Sequence, residues 1–148
     1  LKNNAAIYVD YAHTPDAVVS VLNSIRPHVP NGSKLHVIVG CGGDRDRTKR
    51  PKMGKAAVEL ADVAIVTDDN PRTEDPDFIR SEVMAGAIGA TEIAGRAEAI
   101  NTAVKGLSAG DILVIAGKGH EDYQIIGTTK IHFDDVEEVK KAIKKLEG

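Results

Sequence analysis

Aromatic residues are scarce in this chain, 3% of 148 residues with no Trp. A stacking platform for single-stranded nucleic acid is therefore poorly supplied. Basic residues are not in excess: 19 Lys and Arg stand against 22 Asp and Glu, a formal charge of −3 with His neutral. That balance leaves no electrostatic footprint for nucleic acid. One Cys excludes an internal disulfide framework and a zinc site built on Cys pairs. No apolar run approaches the ~20 residues of a membrane-spanning helix, and no long apolar N-terminal stretch marks a signal peptide. The expectation is a cytoplasmic protein with no nucleic-acid and no membrane partner. Hydrophobic residues make up 42% of the chain, which argues against disorder. At roughly 100–200 residues per domain the whole chain is one domain. It opens on Leu1 and enters a strand pattern within a few residues, which reads as a domain excised from a longer chain.

What is present is an alternation of short β-rich runs and helical patterns. Ala6-Ile7-Tyr8-Val9, Leu35 to Val39, Val63 to Val66 and Asp111 to Ala116 read as strands, with a short one near Thr91-Glu92-Ile93. Thr14-Pro15-Asp16 has the residues of a helix start: a capping Thr, Pro at the first helical position and an acid in the first turn. Further helices are expected from Pro51, from Asp75-Pro76, over residues 97–107, and at the C-terminus on Val136, Val139, Ile143 and Leu146. Ile125-Ile126 and Lys130 to Phe133 read as a hairpin around Gly127. Such alternation implies βαβ units: a Rossmann-like α/β fold, a mostly parallel sheet of about six strands with helices on both faces.

Polar and glycine-rich residues gather in four clusters, each directly after an expected strand. They are Asp10 to His13, Gly40 to Arg50, Asp68 to Arg72, and Gly117 to Glu121. The carboxyl ends of strands form the ligand crevice of an open α/β sheet, so four clusters there point to one composite site. Gly40-Cys41-Gly42-Gly43 is not a dinucleotide fingerprint, because G-x-G-x-x-G would need Gly where Arg45 stands. No G-x-x-x-x-G-K-[ST] loop is present, so a standard device for cradling a triphosphate is missing. Arg45, beside the glycine turn, is a candidate for gripping a carboxylate by paired hydrogen bonds. Arg47 and Lys49 read as a solvated charge run. Asp69 and Asn70 serve a turn equally well, but a turn does not need Arg72, a second carboxylate clamp. Glu121 is placed to take an ammonium group. Two arginines with one or two acids suit a zwitterion carrying an extra carboxylate. His13 contacts a phosphate or holds its loop, two readings of equal weight. His28, His36 and His132 lie outside the clusters and read as packing or surface residues. The residues contain no His or Cys spacing suited to a metal, and none is assigned to one.

The clusters resemble the C-terminal domain of the Mur ligases, most closely the MurE-type, diaminopimelate-adding branch. The matching stretches are Val9 to Asp16, Gly40 to Asp46, Asp68-Asp69-Asn70-Pro71-Arg72-Thr73-Glu74, Gly95 to Ile100 and Ala116 to Gln124, in family order over most of the chain. The resemblance implies an ATP-dependent ligase that adds meso-diaminopimelate to UDP-N-acetylmuramoyl-L-alanyl-D-glutamate in peptidoglycan synthesis, through an acyl phosphate. It implies a diaminopimelate site of Arg45, Asp69, Asn70, Arg72, Gly117 and Glu121. Within it Arg72 and Asn70 hold the distal carboxylate, Glu121 and the Gly117 carbonyl the distal ammonium, and Arg45 the carboxylate beside the attacking amine. It implies that Asp10 and His13 reach ATP, and that ATP, Mg2+ and the UDP-linked dipeptide are bound mainly by other domains. On that basis this domain holds no catalytic residue of its own and is inactive in isolation. Alternative readings are a lysine-adding or folylpolyglutamate-type relative, distinguished by Arg72, and a receiver-like module using Asp68, Asp69 and Lys118.

Overall fold

In a computed structural model of the chain, residues 3–119 and 121–147 are described. His120, part of the fourth cluster, lies outside them. Five strands build one parallel sheet: β1 (Ala6–Asp10), β2 (Leu35–Val39), β3 (Val63–Val66), β4 (Thr91–Glu92) and β5 (Ile112–Ala116), in the order β1-β5-β2-β3-β4. The sheet is thus one strand smaller than the expected six. The last two β runs, β6 (Tyr123–Ile126) and β7 (Thr129–His132), pair antiparallel with each other as a separate hairpin. Gly127, at φ 63, makes the turn between them.

Five helices cover the sheet: α1 (Pro15–Ile25), α2 (Lys49–Leu60), α3 (Pro76–Met84), α4 (Arg96–Lys105) and α5 (Asp135–Glu147). The α1 start follows the sequence signal. Thr14 Oγ1 accepts from the Ala17 N–H at 3.1 Å, and Pro15 opens the first turn. The α2 helix begins at Lys49, two residues before the expected Pro51, since proline is tolerated throughout a first turn.

Val18, Leu22, Met53, Ala57 and Val83, from α1, α2 and α3, pack on Leu35, Val37, Val39 and Val114. Ile100, Val104 and Val139, from α4 and α5, pack on Ile38, Leu113 and Ile115 on the opposite face. Successive strand residues point to opposite faces, so β2 and β5, covered on both, are buried at every position. His36 is the polar exception; its Nε2–H donates to Asp111 Oδ2 at 2.8 Å inside the protein.

Neighbouring strands β2 and β5 continue in different directions. β2 leads to α2 on one face, and β5 leads through the hairpin to α5 on the other. Their carboxyl ends therefore flank a topological switch point, where a crevice opens. Arg96, at the start of α4, underpins it. Its guanidinium makes two hydrogen bonds to Asp135, Nε–Oδ1 at 2.8 Å and Nη2–Oδ2 at 2.7 Å, with both side chains fully buried. It also donates to the carbonyls of Ala116, at 3.1 Å, and Asp68, at 3.4 Å. Removing one partner of a buried ion pair costs about 3–5 kcal/mol. Asp135→Ala is expected to lower the urea midpoint of unfolding accordingly; an unchanged midpoint contradicts this role for the pair.

Candidate functional site

The loop after β2 and the loop after β3 are built as one unit. Gly43 N–H donates to the Asn70 carbonyl at 2.7 Å, and Asp44 accepts from Thr73 Oγ1 at 2.7 and 2.8 Å. A Cβ on Gly43 would stand 1.8 Å from the Pro71 carbonyl oxygen, so only glycine allows this approach. Arg50, 1% exposed, lies beneath both loops. It pairs with Glu74 through two hydrogen bonds of 2.8 and 2.9 Å, with Glu82 at 2.7 Å, and donates to the Gly42 carbonyl. Arg47 is exposed but not idle: it makes two hydrogen bonds to Glu82 and lies 4.9 Å from the Phe78 ring centre. The Arg47 and Arg50 hydrogen bonds hold the Glu82 carboxyl down at about 2 against burial, which acts upward. Asp68 is occupied by Arg80 at 2.5 Å, and burial raises its carboxyl above the usual range.

Arg72 has φ 52, a left-handed conformation uncommon for a residue with a side chain. The hairpin holds it there: its N–H donates to the Ile125 carbonyl and its own carbonyl accepts from Gly127 N. Its Nη1 donates to the carbonyls of Gly43 and Asn70 at 3.0 and 3.3 Å. Nε and Nη2 have no hydrogen-bond partner among the described residues, which leaves that edge of the guanidinium for a ligand. Asn70 Oδ1 accepts from Lys118 Nζ at 3.1 Å and Ile125 N at 2.9 Å. Lys118 is fully buried and also donates to the Tyr123 carbonyl at 2.8 Å. Gly117 turns the chain out of β5 at φ 118, and its N–H donates to the Asp10 carbonyl.

These loops enclose a cavity of about 370 Å3 at the switch point. Arg45, Asp69, Asn70, Arg72, Gly117, Glu121 and His13 all line it, together with Tyr11, Cys41, Lys49 and Tyr123. Cationic and anionic groups thus face one volume, a pattern that complements a zwitterion. Asp10 is not in the lining; its carboxylate accepts from the Ala12 N–H at 2.8 Å and shapes the loop after β1. His13 is exposed, its Nδ1–H donating to the Tyr11 carbonyl at 3.1 Å. Burial pushes the Cys41 thiol up to about 11, so it faces the cavity as a neutral group. Among the described residues no group of three or more His, Cys, Asp or Glu is placed to hold a metal ion. No helix among them is long and apolar enough to cross a membrane.

Sequence reading missed the buried cations Arg50, Arg80 and Arg96 and left Lys118 open. Arg50 closes a run of exposed charges, and its burial has no local sign except its place in the first turn of an amphipathic helix. Lys49, read as solvated, and Tyr123 line the cavity without having been singled out.

A parallel α/β sheet with a mixed-charge cavity at its switch point has the form of a ligand-binding domain. The family of the Mur ligase, glutamate ligase domain matches residues 1–119, and the chain belongs to it. The UDP-N-acetylmuramoyl-L-alanyl-D-glutamate–2,6-diaminopimelate ligase of Agrobacterium fabrum is 56% identical over 147 residues, 99% of this chain and 30% of that protein. The ligase of the same name from Trichormus variabilis is 54% identical over 145 residues, 96% of this chain and 29% of that protein. A solved structure of a ligase so named superposes with a TM-score of 0.92 at 48% identity, covering 98% of this chain and 30% of that one. The chain therefore spans about a third of the length of these relatives. Membership of this family sets the receiver-like reading aside.

Gly43→Ala is expected to separate the two loops, broadening or shifting the amide resonances of residues 42–46 and 69–74 while the sheet resonances stay in place. An unchanged spectrum contradicts the tight approach. For Glu82 the folded-state value lies below the ordinary 4.5, so its stabilisation is complete above about pH 4.5 and is lost as pH falls toward about 2. Glu82→Gln should flatten the acid limb of stability against pH in that window, as measured by urea unfolding.

Proposed function

We propose that this chain is the amino-acid-presenting domain of an ATP-dependent ligase that adds meso-diaminopimelate to UDP-N-acetylmuramoyl-L-alanyl-D-glutamate, in the cytoplasm, during peptidoglycan synthesis. The observation that carries the reading is the convergence of Arg45, Arg72, Asn70 and Glu121 on one cavity at the sheet's switch point. The names and identities of the relatives support it. In this reading the free edge of Arg72 and the Asn70 amide take the distal carboxylate. Glu121, Asp69 and the Gly117 carbonyl take the distal ammonium, and Arg45 takes the carboxylate next to the reacting amine.

The reaction itself needs a dipeptide carboxylate activated as an acyl phosphate. The presented amine attacks that carbonyl carbon, the C–N bond forms, and the bond to phosphate breaks. This chain's contribution is to bind the amino acid, orient its amine and help exclude water on closure. His13, at the exposed rim, and the Asp10 loop are the parts of this chain that would approach the nucleotide. On the family resemblance, ATP and Mg2+ are assigned mainly to the rest of such a ligase. Lysine has no distal carboxylate and would leave the Arg72 edge and the Asn70 amide unpaired. Losing such a charged pairing costs about 2–5 kcal/mol, enough for strong discrimination.

The test is a titration of the 15N-labelled chain with meso-diaminopimelate and with lysine. Amide shifts around Arg45, Asn70, Arg72 and Glu121 are expected with diaminopimelate, and weaker or none with lysine. Equal responses to both would overturn the selectivity. If neither ligand gives shifts, the same titration on the full-length ligase decides the binding role.

A further inference from the structure

Lys118 has no part in the ligand contacts proposed above, yet its burial is complete and its ammonium points at two of the residues that make them. Its ammonium makes two hydrogen bonds and one ion pair. The hydrogen bonds go to Asn70 Oδ1 at 3.1 Å and to the Tyr123 carbonyl at 2.8 Å. The ion pair is with Asp69 Oδ1 at 3.0 Å. That oxygen is buried and accepts no hydrogen bond among the described residues, so Lys118 is its ion-pair partner and its principal compensation. The Asn70 amide has a defined polarity as a result. Oδ1 is taken from behind by Lys118 Nζ and Ile125 N, while Nδ2 has no partner among the described residues and is not buried.

From this geometry we infer that Lys118 is a positioning residue that sets the cavity's preference for a carboxylate. It does so in two ways. It holds the Asn70 carboxamide with its donor side outward, and it neutralises the Asp69 charge at the cavity wall. Without Lys118, the amide keeps one of its two anchors and Asp69 presents an uncompensated negative charge. Both changes disfavour a distal carboxylate and favour a ligand that carries only an ammonium there. The inference rests on the diaminopimelate reading of the cavity and adds to it a determinant that does not touch ligand.

The experiment measures the ratio of meso-diaminopimelate to lysine affinity for four forms of the chain: unmodified, Lys118→Met, Asp69→Asn, and the double variant. Loss of a charge-assisted contact predicts a fall in the ratio of about tenfold to a hundredfold in Lys118→Met. The double variant, again neutral at the pair, should recover the part of the ratio lost to the Asp69 charge. A purely structural role would weaken both ligands together and leave the ratio in place. Should Lys118→Met fail to fold, Asp69→Asn carries the test with the opposite sign. An unpaired Lys118 charge should raise the ratio, and an unmoved ratio overturns the inference. A selective unmodified chain with an unmoved ratio in Lys118→Met sinks this inference alone. An unmodified chain that binds both amino acids equally sinks the diaminopimelate reading and this inference with it; if it binds neither, the same ratios are measured in the full-length ligase, where an unmoved ratio overturns the inference.

Discussion

The Arg96–Asp135 ion pair is the interaction on which the rest of the molecule's active edge depends. An isolated charge inside a protein is costly, and a pair is tolerated only with close geometry and with the remaining donors satisfied. Arg96 meets that demand with two hydrogen bonds to Asp135 and two to backbone carbonyls. The groups that satisfy it belong to the end of β5, the loop after β3 and the first turn of α5. Compensating one buried guanidinium therefore fixes where three separate segments meet. The C-terminal helix is docked beneath the cavity by the same contact that anchors the loops above it.

The pattern repeats around the edge. Arg50 joins the loop after β2 to Glu74 and Glu82, Arg80 joins Asp68 to Asp77 and Glu92, and Lys118 joins Asp69 and Asn70 to the start of the hairpin. Loops at the end of a sheet have little apolar area to bury. Here paired charges replace packing as the source of order. The consequence is a cavity whose walls are held in register, with strained backbone at Arg72 and Asp44 kept in place by flanking hydrogen bonds. Such pre-ordering lowers the entropy cost of gripping a flexible ligand. It also leaves Arg45, which makes a single hydrogen bond to the Asp44 carbonyl and is otherwise exposed, as the adjustable member of the set.

Much of the fold was legible in the chain because its signals are local. Thr14-Pro15-Asp16 and Asp75-Pro76 start helices where capping chemistry says they should, and the uniformly apolar runs 35–39 and 111–116 become the doubly covered strands. The strand count was less legible. A hairpin and a sheet strand share the same β-rich pattern, and only the partner available in space separates them. For the candidate site, Arg45, Arg72 and Glu121 were recognisable from their place after strands, and Asn70 only from the family resemblance. The buried cations were not, because nothing in a run such as Asp46-Arg47-Thr48-Lys49-Arg50 tells the residue that will be 1% exposed from those that remain in water.

By itself, then, the sequence determined the periodicities, caps and turns that make strands and helices, and it placed the chemically useful residues at the ends of those strands. These properties depend on neighbours within a few positions. The tertiary structure alone decided which charge stands beneath which loop, which polarity the Asn70 amide shows to the cavity, and that Asp10 shapes its own loop instead of lining the pocket. Those outcomes depend on partners such as Arg96 and Asp135, 39 positions apart, or Lys118 and Asn70, 48 apart. A buried charge takes whatever counter-charge the folded chain brings within hydrogen-bond distance, and that distance exists only after the sheet has formed.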